Sequence, residues 1–245
     1  MNMKQKFTWV GLVILLLLAW RMVSADQFDR QRDNMLSAIR EMVYDTRDYT
    51  GRAELAEQVY ASLSKVPRHE FVPENLQGQA YFNSPLPIGH DQTISQPYIV
   101  ALMTDLADID QDSNVLEVGT GSGYQAAVLA EIVQHVYTIE IIEALGLRAQ
   151  ETLHRLGYRN VTVRIGDGYH GWPEHAPFDA ILVTAAAESI PTPLVEQLKP
   201  GGRLVIPIGR EYSTQALMLV EKNRDGGIRQ REILPVGFVP LTGEH

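Results

Sequence analysis

The chain has 245 residues, a formal net charge of −9 and no cysteine. That length suits one large domain with a full core plus a short tail. The acidic balance, without any Lys/Arg run, argues against nucleic acid as a partner. The missing thiols exclude disulfides, a cysteine nucleophile and thiolate metal ligands.

Lys4 and Lys6 precede an apolar run from Phe7 to Trp20, and Val23-Ser24-Ala25 follows as a small-residue cleavage pattern. A basic start, a short apolar core and such a site describe a secretory signal. The run is shorter than the roughly 20 residues a spanning helix needs. An uncleaved anchor touching a membrane through residues 7–20 is the alternative. Export to a periplasmic or extracellular space is the expected location, against a membrane-anchored or cytoplasmic one.

The single folded domain is expected over residues 26–245. Met35, Leu36, Ile39, Met42 and Val43 share one helical face, and Leu55, Ala56, Val59, Tyr60 and Leu63 share another, ended by Pro67. Residues 67–97 hold five prolines and read as an ordered, irregular stretch, with helix returning over 98–107. From Asn114 strands alternate with helices: strands near 114–118, 135–140, 160–165, 179–184 and 203–208, helices near 122–133, 143–156 and 192–198. Gly157 suits the residue just past a helix, and Thr192-Pro193 suits a cap and first helical position. The tail reads as two strands joined at Asp225-Gly226-Gly227. The fold class is therefore α/β: a Rossmann-like, mostly parallel, doubly wound sheet with an antiparallel C-terminal edge and N-terminal helices. Residues 26–110 form a helical and loop region on the substrate side, and 111–245 the cofactor-binding sheet.

"VLEVGTGSGYQAAVLAE" carries the chemistry. Gly119, Gly121 and Gly123 sit where a strand becomes a helix, so a ligand can touch bare main chain near free N–H groups. Glu140 ends the next strand, where an acid grips ribose hydroxyls. The spacing G-x-G-x-G differs from the dinucleotide fingerprint, and Glu117 would repel a pyrophosphate. S-adenosylmethionine, with its amine, carboxylate, sulfonium and ribose, fits Glu117, the glycines and Glu140 together. Asp167, between Gly166 and Gly168 after the third strand, could accept the adenine amino hydrogen. No triad and no paired metal-ligand spacing is present, so no metal is expected. From the residues alone, Ser95 reads first as a helix N-cap before Pro97 and the 98–107 helix.

The stretches "VPRHEFVP", "PIGHDQTISQPYIVA", "VLEVGTGSGYQAA", "GDGYHGWPEHAPFDAILVTAAAESIP", "LKPGGRLVIPIG" and "FVPLTG" together resemble the protein-L-isoaspartate O-methyltransferase family, over about Val59 to Thr242. The resemblance implies methyl transfer from S-adenosyl-L-methionine to the free carboxylate of isoaspartyl residues in damaged proteins, the first step of their repair, by a monomer. It implies Ser95 as the catalytic serine, with Thr93, Ile94, Val239 and Thr242 on the substrate. It implies Glu117, Gly119, Gly121, Gly123, Glu140, Asp167 and Gly168 on the cofactor. Asp91 departs from the family's usual glycine, which puts the loop's conformation in question and adds a carboxylate near an anionic substrate. A methyltransferase for another carboxylate, and a non-catalytic envelope protein that kept the fold, are the competing readings.

Overall fold

The computed structural model describes residues 27–210 and 213–243. The signal-like segment, including the membrane contact expected at 7–20, lies outside the described residues. Among the described residues, no helix is long and apolar enough to cross a membrane.

Helix α1 runs over 27–45 and α2 over Arg47–Thr50. Their apolar face, including Met35, Ile39 and Val43, is buried as the spacing predicts. Helix α3 (Glu57–Lys65) buries Val59, Tyr60 and Leu63 and yields to Pro67. The proline-rich stretch is ordered by two 3-10 turns, Arg68–Phe71 and Glu74–Gln79, and a hairpin of β1 (Leu86–Gly89) and β2 (Gln92–Ile94). Helix α4 (Pro97–Leu106) follows at once, with Gln96 as its cap residue.

The sheet begins at β3 (Asn114–Val118) and alternates through α5 (Tyr124–Ala130), β4 (His135–Glu140), α6 (Glu143–Arg155) and β5 (Val161–Ile165). It continues with β6 (Phe178–Val183), α7 (Thr192–Glu196) and β7 (Leu198–Ile208). The edge is the antiparallel pair β8 (Gln215–Lys222) and β9 (Ile228–Val236). Strand order is β5-β4-β3-β6-β7-β8-β9. The chain thus leaves β3 for β4 on one side and returns to pair β6 on the other. Parallel sheets of this kind open a crevice at such a reversal, beyond the carboxyl ends of the strands.

Side chains alternate across β3. Val115 joins the core shared with α4 and α5, while Leu116 and Val118 face the opposite layer with Phe178 and Leu194. Glu117 therefore shares Val115's face, and the register sets it beside Thr138 of β4.

Two local expectations change. Helix α7 starts at Thr192 with Pro191 as its cap residue, one position earlier than the Thr-Pro pair suggests, and no side chain caps it. The β1–β2 hairpin turns on His90 and Asp91, with φ of 53° and 57°. A two-residue turn with both φ positive matches strand twist and normally recruits glycine or asparagine. Asp91 therefore holds the loop shape a glycine would give, at a conformational cost. It is exposed at the hairpin tip, outside the lining of both cavities described below. Asp91→Gly is expected to raise stability by about 0.5–1 kcal/mol, since a left-handed non-glycine residue costs roughly 1–2 kcal/mol and glycine's extra chain entropy returns part of it. Thermal unfolding of the two proteins checks this; a lower midpoint in the variant would show that the Asp91 side chain is itself engaged.

Candidate active site

The glycine bend is built by the ends of β3 and β4. The amides of Gly119 and Thr120 both donate to the Ile139 carbonyl, at 2.8 and 3.2 Å. The Gly121 amide donates to Glu140 Oε2 at 2.7 Å, and Ile142 N to Glu140 Oε1 at 2.9 Å. The N–H groups expected to be free at the bend are thus taken at Gly119, Thr120 and Gly121. Glu140 staples the bend as well as facing the cavity. A carboxylate has about four acceptor positions, so two such bonds leave it able to accept from ligand hydroxyls.

All three glycines have positive φ, 99° at Gly119, 53° at Gly121 and 88° at Gly123. Their surroundings differ. A Cβ on Gly119 would fall 2.4 Å from Thr184 Oγ1, while one on Gly121 would meet only Ile88 Cδ1, at 3.6 Å. Thr184, just beyond β6, donates its hydroxyl to the carbonyls of Val118 and Gly119. The closest approach at the bend is therefore protein on protein. Gly123 caps α5 and packs towards Ala149 and Leu153, outside the cavity lining.

Glu117 is fully buried. Its Oε2 accepts from Thr138 Oγ1 at 2.5 Å, and Thr138 also meets the Thr120 hydroxyl at 2.7 Å. Its Oε1 has no hydrogen-bond partner. Burial pushes this carboxyl up to about 8, the Thr138 bond opposing the shift and the nearby Glu140 charge adding to it. Such an atom, dry and unpaired at a cavity wall, asks for a cationic donor. Both glutamates are thus far from the solvated positions that a mere tight turn would leave them in.

The first cavity is walled by Glu117, Gly119, Gly121, Glu140 and Gly168, and on its far side by Thr93, Ile94, Ser95, Val239 and Thr242. These expected residues, remote in sequence, meet in one place. Asp167 and Gly123 stand outside that lining; Asp167 Oδ1 accepts from Tyr169 N at 2.9 Å. The tail reaches the site by pairing: Ala186 N donates to Val239 O and Leu241 N to Ala186 O, each 2.8 Å. A second cavity of about 520 Å³ opens between α1, α4 and the segment after β9, with Met42, Tyr98 and Phe238 in its wall. The two cavities share Thr93, Ser95, Thr184 and Val239.

Ser95 stands on that shared wall. It precedes the cap residue of α4, and no side-chain cap bond forms there, which removes the capping alternative. Thr184, Thr138 and Tyr98 were not singled out from the sequence. Thr184 obeys the same strand-end logic as Glu117 and Glu140 and could have been. Among the described residues, no group of three or more His, Asp or Glu could hold a metal ion.

A reversal-point crevice with acids at the ends of β3 and β4 around a glycine bend defines an S-adenosylmethionine-dependent methyltransferase of Rossmann-like fold. The sequence profile of the protein-L-isoaspartate(D-aspartate) O-methyltransferase family matches residues 40–245. Protein-L-isoaspartate O-methyltransferase 2 of a Polaromonas species is 65% identical over 210 residues, 86% of this chain and 100% of its own. Protein-L-isoaspartate O-methyltransferase 2 of Syntrophobacter fumaroxidans is 58% identical, covering 99% of this chain and 100% of its own. A solved beta-aspartate methyltransferase from Plasmodium falciparum, in complex with S-adenosyl-L-homocysteine, superposes with a TM-score of 0.67 at 26% identity, over 84% of this chain and 97% of that one. The chain belongs to the protein-L-isoaspartate(D-aspartate) O-methyltransferase family. Its activity is the family's: S-adenosylmethionine-dependent methylation of the free carboxylate of L-isoaspartyl residues, which initiates their repair. The reading as a non-catalytic protein is set aside.

Proposed function

We propose that the two cavities divide the reaction between them, the donor in the first and the isoaspartyl peptide in the second, with Ser95 at their junction. One observation carries this reading: Ser95 lines both cavities, and its hydroxyl makes no hydrogen bond to another described residue.

The unpaired Oε1 of Glu117 suits the methionine ammonium, Glu140 the ribose hydroxyls, and Gly168, with Asp167 behind it, the adenine end. When bound, S-adenosylmethionine supplies an electrophilic methyl group on a sulfonium. The protein's own residues do the positioning. An isoaspartyl carboxylate is ionised at neutral pH, its ordinary pKa lying near 4, so no base is required. The Ser95 hydroxyl donates to one carboxylate oxygen and aims the other. Thr93, Ile94, Val239 and Thr242 wall the contact. Alignment of this kind can lower a barrier by up to roughly 7–11 kcal/mol. The product is a methyl ester; attack on it by the neighbouring peptide amide expels methanol and closes a succinimide, whose hydrolysis returns some normal aspartate.

Ser95→Ala is expected to lower kcat on an isoaspartyl peptide by about 10- to 100-fold, the worth of one hydrogen bond to a charged group. S-adenosylmethionine affinity should stay within about twofold of the parent, since no assigned cofactor contact is removed. Titration calorimetry and single-peptide kinetics read both quantities, with the aspartyl twin peptide as the control for substrate class. An unimpaired variant would remove Ser95 from its role, and equal methylation of the twin would overturn the isoaspartyl assignment.

A further inference from the structure

Arg68 carries a full positive charge into the interior, with no surface exposed. It opens the first 3-10 turn, in "VPRHEF". Its Nε donates to the Ala80 carbonyl at 2.7 Å, and its Nη2 donates to the Ser95 carbonyl at 2.8 Å. Its Nη1 meets no acceptor in good hydrogen-bond geometry, though the Tyr124 hydroxyl lies near enough to favour its charge. The guanidinium lies over the ring of Tyr124, 4.6 Å from the centroid. Tyr124 is the first residue of α5 and part of the donor cavity wall. Burial lowers the guanidinium pKa to about 10, so it remains charged at neutral pH.

As a stabilising device this is a poor choice. A buried charge without a carboxylate partner costs several kcal/mol, and apolar residues of similar volume fill such sites at no such cost. The arrangement does something else. One rigid fork ties together the 3-10 turn, the loop before β1 and the single residue between the end of β2 and the cap of α4. That residue is Ser95. With its carbonyl held, the planar peptide unit that follows is held as well, and with β2 immediately before it the swing of its Cβ is restrained.

We infer that Arg68 is a positioning residue for methyl transfer: it fixes the Ser95 main chain so that the free hydroxyl faces the acceptor carboxylate. This rests on the reading of Ser95 given above. Misplacement of a reacting group by about 1 Å can cost a factor near 100 in rate, so the carbonyl tether matters more for turnover than for affinity.

The test is a double-variant cycle on the full chain. Arg68→Lys keeps the charge but, as a single ammonium on a flexible stem, loses the planar fork that holds both carbonyls. S-adenosylmethionine affinity, kcat and KM for an isoaspartyl peptide are measured for the parent, Arg68→Lys, Ser95→Ala and the double variant. Arg68→Lys should keep cofactor affinity within about twofold and lose about tenfold or more in kcat. In the Ser95→Ala background the same change should alter kcat by less than about twofold, because residues acting as a unit are not additive. A full tenfold loss in that background, with Ser95→Ala itself impaired, overturns the role of Arg68 alone. An unimpaired Ser95→Ala overturns the Ser95 reading instead. If Arg68→Lys fails to fold, Arg68→Gln, a neutral donor, takes its place with the same expected pattern. Loss of cofactor binding in both variants would make Arg68 framework only and end the proposal.

Discussion

Glu117→Gln is expected to weaken S-adenosylmethionine binding by about 100-fold, about 2.7 kcal/mol, and to remove the proton release that accompanies binding at neutral pH. A ligand ammonium brought to a buried site and left without its carboxylate loses an interaction of 2–5 kcal/mol in comparable cases. The free protein holds the Glu117 carboxyl neutral through most of the physiological range, because burial has lifted it to about 8. The bound ammonium needs the carboxylate. Binding below pH 8 therefore expels a proton, and affinity in the parent should rise as pH rises towards about 8; above it the ligand's own α-amino group, with an ordinary pKa of about 7.7–8.0, loses its charge and affinity falls again. Calorimetry at pH 7 in two buffers of different ionisation enthalpy counts that proton; Glu117→Gln should release none. The same shift has a stability consequence of opposite direction. The folded pKa lies above the unfolded carboxylate value, so the fold favours the protonated form. Its contribution is complete below about pH 4.5, falls as pH rises towards 8, and is flat beyond. The unliganded parent should lose melting temperature across that window relative to Glu117→Gln. Parallel pH profiles for the two proteins would show that the carboxyl is ionised throughout.

Gly119→Ala is expected to destabilise the fold and to abolish cofactor binding. Its φ of 99° is strained for any L side chain, and the new Cβ would sit 2.4 Å from Thr184 Oγ1. That hydroxyl cannot step aside without releasing the Val118 and Gly119 carbonyls it serves. Backbone strain of about 1–3 kcal/mol adds to overpacking of about 1–3 kcal/mol. The variant should therefore lose about 2–6 kcal/mol of stability and bind no cofactor at concentrations that saturate the parent. Gly121→Ala, by contrast, meets only Ile88 at 3.6 Å and has a φ of 53° in the left-handed basin. Its cost should be near 1–2 kcal/mol. Denaturant unfolding of the two variants orders them; equal losses would mean that Thr184 adapts and the contact is soft.

The alternation of strand and helix from 114 to 208 is legible because buried parallel strands need continuous apolar runs and glycine or proline punctuates them. The acids at the ends of β3 and β4 follow from that reading. The Thr138 bond to Glu117 does not, because it depends on the register between two parallel strands. Strand β7 extends back to Leu198, across Pro200, where proline reads as a break. The β1–β2 hairpin escapes notice because its strands have four and three residues, one of them a proline, too few for a period to show. Arg68 escapes for a different reason: an arginine among prolines reads as solvent-facing. The second cavity draws on α1, α4 and the chain beyond β9, which no local pattern joins. Ser95 owes its place to family resemblance; without it the residue reads as a helix cap, and the structure sets that reading aside by making Gln96 the cap residue.

The shared wall of the two cavities has a kinetic corollary. On the proposed division the ionised acceptor carboxylate attacks the donor directly and Ser95 only donates a hydrogen bond, while the shared wall of Thr93, Ser95, Thr184 and Val239 leaves the two chambers touching. Both reactants must then be resident at once. Initial-velocity lines in double-reciprocal form should intersect rather than run parallel, and a chiral methyl group should arrive on the ester with its configuration inverted by one displacement.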